Sequence, residues 1–262
     1  MANGGVHPEE PDAHNEMGGQ PGPGQDNVHS LSVLMPAYNE AENIESAVQE
    51  ICREVLNKVP GAFLIVVDDG STDSTGTILD QLAEKDKRIR AIHTANSGHG
   101  PAIATALNEA DSTFVFLVDS DMQIPLDCFD KFWQLAKEPG ADGIFGIRQH
   151  RQDPLLRLVL SKFISATLSA MFNVTLIDGN APCKLFRRQV WTQLYNRINE
   201  LKPLAPSLMI AIYAERQNLK IIKIPVSHRA RQRGVGSLRL NKLICFCWVA
   251  FKQLMQLRNK IL

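Results

Sequence analysis

The sequence has no apolar run long enough to cross a membrane. A spanning helix needs about 20 predominantly apolar residues, and the most apolar run, at 243–251, is too short to span. The first 29 residues also lack the apolar core of a secretory signal. We therefore expect neither a transmembrane helix nor a signal peptide in this sequence.

An excess of charge of either sign is also absent. The sequence contains 28 basic and 28 acidic residues, so no global field favours a nucleic-acid partner. Cysteines with the C-x-x-C spacing of zinc or redox sites are missing as well. We interpret the five cysteines as free thiols in a reducing compartment: Cys52, Cys128, Cys183, Cys245 and Cys247.

Residues 1–29 contain no aromatic residue and are rich in glycine and proline. Such a composition cannot bury enough apolar surface to offset the entropy lost on ordering. The sequence therefore predicts a disordered tail at 1–29, a folded domain at 30–239 and an amphipathic helix at 240–262.

From residue 31 to residue 148, short apolar runs alternate with helical patterns. The runs predict strands at 31–35, 63–67, 89–93, 113–118 and 143–147. This order is typical of an α/β fold, with a mainly parallel sheet covered by helices on both faces. Beyond Arg148 the pattern predicts longer helices at 155–172, 187–195 and 207–217, then a strand at 220–226 and a closing helix from Leu240.

The fourth predicted strand ends in two acids, Asp119 and Asp121. Open α/β sheets bind ligands at the carboxyl ends of their strands. Two neighbouring carboxylates suit Mg2+ or Mn2+, which take few protein carboxylates and complete their coordination with water and phosphates. The pattern predicts a metal-held diphosphate, and its alternative is a solvated turn.

Polar residues also follow the first and second strands. Pro36-Ala37-Tyr38-Asn39-Glu40 follows the first, and Asp68 and Asp69 end the second. Adjacent acids repel each other unless cations, backbone N–H groups or sugar hydroxyls stabilise them. These residues could hold a base and ribose, whereas the alternative is ordinary turns with Asp73 or Ser74 as a helix cap.

After the third strand, the glycine-rich loop Asn96-Ser97-Gly98-His99-Gly100-Pro101 opens a helix whose N–H groups could face an anion. Glycine serves any tight turn, however, and a loop histidine is more often solvated.

Arginines dominate the polar segments of the second half. Arg148 follows the fifth strand, with Arg151 and Arg157 nearby, and residues 228–239 carry Arg229, Arg231, Arg233 and Arg239 among glycines. Guanidinium groups bind phosphate in bidentate fashion. We interpret 228–239 as a flexible loop that closes over phosphates, and a solvated basic loop is the alternative.

Together these motifs resemble those of the family 2 glycosyltransferases of the GT-A fold, and most of all the dolichyl- and polyprenyl-phosphate sugar synthases. The resemblance covers residues 31–239 and rests on four motifs in order: Pro36-x-Tyr38-Asn39-Glu40, Val67-Asp68-Asp69-Gly70-Ser71-x-Asp73, Gly98-x-Gly100 and Asp119-x-Asp121-x-Gln123-x-Pro125. It implies a Rossmann-like, mainly parallel sheet flanked by helices, with a helical elaboration on the acceptor side.

The resemblance also implies a role for each matching residue. The nucleoside pocket would be lined by Pro36, Tyr38, Glu40 and Asp69, with Asp68 close by. The divalent ion would be held by Asp119, Asp121 and Gln123, and Asp119 could contact ribose instead. The donor diphosphate or acceptor phosphate would be bound by Arg148 and one or more of Arg229, Arg231 and Arg233. Acceptor-side positions are matched by Arg157 and Ser161.

One family segment is altered in this chain. The D-x-x-S-G-F pattern becomes Asp178-Gly179-Asn180-Ala181-Pro182-Cys183, so the acceptor is less defined than the donor. Asp178 would act as the base if the acceptor is a hydroxyl, because a hydroxyl must lose a proton on attack. The catalytic group would then comprise Asp119, Asp121, Arg148 and Asp178.

The resemblance implies a metal-dependent inverting glycosyltransferase that moves a hexose from a GDP- or UDP-linked donor to a polyprenyl or dolichyl phosphate. We expect a cytoplasmic location, with the helix at 155–172 or at 240–257 in peripheral contact with the cytoplasmic face of a membrane. Two alternatives stay open: transfer to a soluble or polysaccharide hydroxyl, and a nucleotide-binding regulator without turnover. The oligomeric state is left open.

Overall fold

The computed structural model of the protein describes residues 1, 30–149, 155–198, 203–229 and 240–261. Within these ranges, the structure describes only the backbone of residues 155–160, 240–248, 250 and 261. The predicted tail, apart from Met1, and most of the predicted phosphate loop therefore lie outside the described residues.

A seven-stranded sheet organises the described chain. Its strands are β1 (Leu31–Ala37), β2 (Phe63–Asp68), β3 (Ile89–His93), β4 (Phe114–Leu117), β5 (Gly143–Arg148), β6 (Lys184–Arg187) and β7 (Ile221–Val226). The strand order is β3-β2-β1-β4-β6-β5-β7. Only β6 runs antiparallel to its described neighbours, β4 and β5, so the prediction of a mainly parallel sheet is confirmed.

Helices connect the strands and cover the sheet. They are α1 (Ile44–Ile51), α2 (Thr75–Lys85), α3 (His99–Glu109), α4 (Phe129–Ala136), α5 (Leu155–Phe172), α6 (Arg188–Ile198), α7 (Pro206–Arg216) and α8 (Leu240–Ile261). A π-helical segment, Cys52–Leu56, extends α1, and a 3-10 turn, Leu126–Cys128, precedes α4. The sequence pattern predicts one helix over about 41–56, and α1 with its π-helical extension covers 44–56.

Both faces of the central strands are buried, which explains the continuous apolar runs of β2 and β4. In β1, Val33 and Met35 belong to the core cluster that includes residues of α1, α2 and α4. Leu34 belongs to the opposite cluster, which includes residues of α3 and α5 to α8. The two layers of helices hold the carboxyl ends of the parallel strands at one edge.

The strand order reverses at β1. The chain moves from β1 to β2 and β3 on one side, and then returns to place β4 on the other side of β1. In open α/β sheets, this reversal leaves a crevice outside the carboxyl ends of the two strands, where ligands bind. The crevice between β1 and β4 is therefore the expected ligand site.

The sequence pattern did not reveal β6, and it predicted a helix that included Arg187. Arg187 instead ends β6, and α6 begins at Arg188. The strand has only four residues and begins with Lys184, so it lacks a long apolar run. Its pairing with β4 and β5 comes from tertiary contact, which local sequence does not encode.

Candidate active site

Asp119 lies two residues beyond the end of β4, in the crevice beside β1. Its Oδ1 is buried and accepts no hydrogen bond, and His99 Nε2 lies 3.6 Å from it. Burial raises the pKa of Asp119, Asp121 adds to the rise, and the His99 imidazole acts in the opposite direction. A buried carboxylate oxygen without a hydrogen-bond donor is the group that a bound cation would stabilise.

Asp121 and Gln123 form a tight turn after Asp119. The Gln123 N–H donates to Asp121 Oδ1 at 3.2 Å, and Met122 between them has a φ of 55°. The Gln123 carbonyl accepts a hydrogen bond from the Arg229 N–H at 2.8 Å. The segment after β7 therefore reaches the predicted metal loop, as far as Arg229.

The residues of this loop fit Mg2+ or Mn2+. Among the described residues, no three His, Cys, Asp or Glu side chains form a group that could hold a metal ion. Mg2+ usually takes only one or two protein carboxylates, with water and substrate phosphates completing its octahedron. Asp119 and Asp121 supply such a pair. The Oδ1 of Asp119 accepts no hydrogen bond, so it can bind such an ion.

Hydrogen bonds join the loop after β1 to the loop after β2. The Asn39 N–H donates to Ser71 Oγ at 2.9 Å, and the Thr72 N–H donates to Asn39 Oδ1 at 2.8 Å. These bonds leave the Tyr38 side chain 42% exposed, whereas Glu40 is buried and accepts a hydrogen bond from its neighbour Asn43. Tyr38 is therefore partly exposed to solvent directly after the carboxyl end of β1.

Asp68 is held from two directions. Its Oδ1 accepts the Ser71 N–H at 3.0 Å, and its Oδ2 lies 3.0 Å from His93 Nδ1. The other ring nitrogen of His93 lies 2.9 Å from Asp80 Oδ1. These two carboxylates, Asp80 foremost, raise the pKa of His93. Asp68 thus helps to fix the loop after β2.

Both carboxylate oxygens of Asp69 accept hydrogen bonds from the glycine-rich loop. Its Oδ1 accepts hydrogen bonds from the backbone N–H and the hydroxyl of Ser97, at 2.8 and 3.0 Å. Its Oδ2 accepts the Gly98 N–H at 2.7 Å. Backbone N–H groups therefore stabilise both Asp68 and Asp69, and such groups are one of the three kinds of stabiliser expected for adjacent acids. Asp69 thereby sets the loop that leads into α3.

Arg148 and Asp178 form a buried, bidentate ion pair. Arg148 Nε donates to Asp178 Oδ2 at 2.9 Å, and Arg148 Nη2 donates to Asp178 Oδ1 at 2.6 Å. The backbone N–H of Arg148 also donates to Oδ2 at 3.0 Å. The side chains are only 13% and 9% exposed. Two residues predicted as separate catalytic groups are therefore one unit.

The sequence profile of glycosyl transferase family 2 matches residues 32–195, which contain β1 to β6 and the acids of the crevice. The chain belongs to glycosyl transferase family 2.

Relatives that resemble this family 2 chain include bacterial transferases. It is 28% identical over 222 residues to the undecaprenyl-phosphate 4-deoxy-4-formamido-L-arabinose transferase of Proteus mirabilis, covering 83% of this chain and 65% of that protein. The enzyme of the same name from Photorhabdus laumondii matches with the same identity and coverage. The chain thus spans about two thirds of the length of these relatives.

Solved structures share the fold. Glucosyl-3-phosphoglycerate synthase from Mycobacterium tuberculosis, crystallised with phosphoglyceric acid, superposes with a TM-score of 0.63 at 19% identity. The match covers 88% of this chain and 80% of that one. The same synthase with Mn2+, UDP-glucose and phosphoglyceric acid also gives 0.63, at 18% identity and the same coverage. The predicted GT-A fold is thereby confirmed.

The structure brings most of the predicted site residues of this family 2 chain to one edge of the sheet. Tyr38, Glu40, Asp119 and Asp121 follow the ends of β1 and β4, and Pro36, Asp68, Asp69, Gln123, Arg148, Asp178 and Arg229 lie at the same edge. Arg231 and Arg233 lie outside the described residues, as do Arg151, Arg239 and the side chain of Arg157.

Sequence reasoning missed two residues beside this family 2 site, His93 and Lys184, and for His99 it left open a place near the ligand or a solvated loop. The structure places His99 Nε2 3.6 Å from Asp119 Oδ1. His93 was seen only as the end of a strand. Lys184 was not considered, although a lysine between apolar residues in Pro-Cys-Lys-Leu-Phe is an unusual pattern that signals a buried charge.

Proposed function

We propose that this chain is a metal-dependent, inverting glycosyltransferase that moves a sugar from a GDP- or UDP-linked donor to a polyprenyl phosphate. One observation carries the proposal: Asp119 and Asp121 stand in the crevice beside β1, with the Asp119 Oδ1 buried and without a hydrogen bond. The relatives named for transfer to undecaprenyl phosphate support the acceptor class.

The donor nucleoside would lie against the loops after β1 and β2. Tyr38 offers an exposed aromatic face for a base, and the Asn39 hydrogen bonds to Ser71 and Thr72 hold that loop in place. The donor diphosphate would then extend toward Asp119 and the loop at Gly98, which opens α3. A helix amino terminus attracts anions through its N–H groups and dipole.

Asp119, Asp121 and Gln123 would hold Mg2+ or Mn2+. When bound, such an ion supplies a Lewis acid that stabilises negative charge on the leaving diphosphate. The protein groups pre-organise this site, because the Gln123 N–H already orients Asp121 Oδ1 and the Arg229 N–H already fixes the Gln123 carbonyl. Pre-organised groups need no rearrangement during the reaction.

The acceptor side favours a phosphate over a hydroxyl. Both oxygens of Asp178 already accept hydrogen bonds from the Arg148 side chain, which suits a positioning role more than proton removal. A phosphate oxygen is already ionised, so it can attack the anomeric carbon without a general base. The bond from that carbon to the diphosphate then breaks, and its electron pair leaves with the nucleoside diphosphate.

Apolar side chains on and beside α5 suit contact with a lipid surface. Phe163 is 69% exposed, Ile164 is 38% exposed, and Ile177 beyond the helix is 51% exposed. Lys162 is exposed beside them. Among the described residues, no helix is long and apolar enough to span a bilayer. An amphipathic helix that lies in the interface can place a lipid phosphate at the site.

A transfer assay tests the proposal. Labelled GDP- and UDP-sugars would be incubated with Mn2+ and polyprenyl phosphate in detergent, and with sugar acceptors in parallel. We expect label in the organic phase for the parent chain and not for Asp121→Asn. Transfer to a sugar hydroxyl alone would instead support the soluble-acceptor alternative. Nucleotide binding without turnover on any acceptor would identify a regulator.

A further inference from the structure

Lys184 is a buried cation that the roles above do not use. The side chain is 1% exposed, and it lies in the middle of the sheet, at the start of β6. Its register partners are Leu117, the last residue of β4, and Phe145 of β5. Lys184 therefore lies between the strand that leads to Asp119 and the strand that ends in Arg148.

The ammonium group of Lys184 closes a small hydrogen-bonded triangle. It donates to the Ala181 carbonyl and, at 2.7 Å, to Ser207 Oγ at the start of α7. The Ser207 hydroxyl donates in turn to the same Ala181 carbonyl at 3.1 Å. The triangle ties the turn before β6 to the amino terminus of α7.

That turn leads directly to the Arg148 ion pair. The Ala181 N–H donates to the Asp178 carbonyl at 2.9 Å, which closes the turn. Asp178 has a φ of 48°, a left-handed conformation that few residues with a side chain adopt, although aspartate adopts it more often than most. Surrounding contacts help to hold it there, among them the Ala181 N–H bond to its carbonyl and the Arg148 bonds to its carboxylate.

The same segment borders the predicted metal loop. Pro182 and Cys183 line one pocket together with Asp119 and Asp121. The 178–183 segment therefore lies between the Arg148–Asp178 pair and the edge of the metal loop.

Burying an ammonium group to bind one carbonyl carries a large desolvation cost. Burial lowers the pKa of Lys184 to about 7, and Asp178 is the foremost of the groups that oppose this effect. A neutral donor could bind Ala181 without the desolvation cost of an ammonium group. Lys184 is therefore coupled electrostatically to the Arg148–Asp178 pair.

We propose that Lys184 is a positioning residue for the acceptor side of the transfer reaction. It holds the 178–183 segment so that Asp178 orients Arg148 toward the acceptor phosphate. This inference rests on the proposed function, because it assigns Lys184 to the acceptor half of that site and leaves the donor half unaffected.

Variants of Lys184 and a matched lysine test the inference. Lys184→Met removes the charge and the hydrogen bonds but keeps an unbranched side chain, and Lys184→Arg keeps both charge and donors. Ser207→Ala opens the triangle without changing the lysine. Lys223→Met is the control, because it removes a half-buried lysine on the neighbouring strand β7 whose ammonium group pairs with Glu215 and not with the 178–183 turn. Circular dichroism would confirm that each variant folds.

Steady-state kinetics would separate the two halves of the site. We expect Lys184→Met to lower kcat/KM for the acceptor by about tenfold to 100-fold, the range that a displacement near 1 Å can produce. The Kd for the nucleoside diphosphate with Mn2+ should change much less, within about twofold, because the ammonium group of Lys184 bonds to Ala181 and Ser207 and not to Asp119 or Asp121. Lys184→Arg should recover most of the loss, and Ser207→Ala should show a smaller loss of the same kind.

The inference is overturned if Lys184→Met leaves the acceptor kinetics unchanged, or weakens donor and acceptor equally, or behaves like Lys223→Met. Should Lys184→Met fail to fold, Ser207→Ala alone decides the question by the same split. If the parent transfers to a sugar hydroxyl only, the proposed function fails, and the same kinetic split for that acceptor still decides the role of Lys184. A parent with no turnover on any acceptor overturns both proposals.

Discussion

The Arg148–Asp178 pair allows a quantitative test of the site. Asp178→Asn removes the negative charge but nearly preserves the shape of the side chain. One of the two bidentate contacts would then set an amide N–H against a guanidinium N–H, and a cation that is 13% exposed would lose its counter-charge. Removing one partner of a buried ion pair costs about 3–5 kcal/mol.

The structure places Asp178→Asn at the lower end of this range, because asparagine keeps one oxygen that can accept from Arg148. A loss of about 3 kcal/mol corresponds to a fall in Tm of about 6–12 °C for a chain of this size. Thermal unfolding followed by circular dichroism would measure the fall.

Glu54→Gln is the matched control. Glu54 also contacts two cations, Arg53 at 2.8 Å and Lys58 at 3.0 Å, but these side chains are 68% and 37% exposed. Exposed pairs contribute little because water and salt screen them, so Tm should barely change. Arg148→Met in the Asp178→Asn background should recover part of the loss, since the guanidinium that lost the Asp178 carboxylate is then gone.

Two results would refute this reasoning. The first is a fall in Tm for Asp178→Asn that is no larger than the fall for Glu54→Gln. The second is a double variant whose loss equals the sum of the single losses, because independent residues are additive and coupled residues are not.

Further predictions concern the metal, a histidine, a glycine and the lipid surface. UDP or GDP with Mn2+ at about 100 times its Kd should stabilise the parent by about 2.7 kcal/mol, and a thermal-shift assay should show no Mn2+-dependent part of that gain in Asp121→Asn. Because the pKa of His93 is raised above its unfolded value of 6.5, its contribution to stability is full below that pH and is lost as pH rises through the folded pKa. Urea unfolding should therefore show a larger loss for His93→Gln at about pH 5.5 than at about pH 8.5. Gly70→Ala should lower stability more than Gly61→Ala in the same measurement, since both have positive φ but only at Gly70 would a Cβ meet the Asn96 nitrogen, at 2.6 Å. Phe163→Ser should reduce co-sedimentation with anionic lipid vesicles without changing Tm, and equal binding of parent and variant would contradict the lipid-surface proposal.

The sequence predicted the strands wherever they are buried on both faces. The strands β1, β2 and β4 are covered on both faces, so their apolar runs are unbroken and end where polar loop residues begin. β6 could not be read in this way, because it is short, begins with a charged residue and obtains its pairing only from distant strands.

The sequence by itself determined the family, the mainly parallel fold and the acids that follow successive strands, because these depend on residue order and on local apolar periodicity. The partner of each acid was decided only by the tertiary structure. Asp68 turns to His93, Asp69 to Ser97 and Gly98, and Asp178 to Arg148, whereas Asp119 keeps an oxygen without a hydrogen bond. Hydrogen bonds and ion pairs act over about 3–4 Å, so they depend on which loops meet at the edge of the sheet, and that meeting exists only in the folded chain.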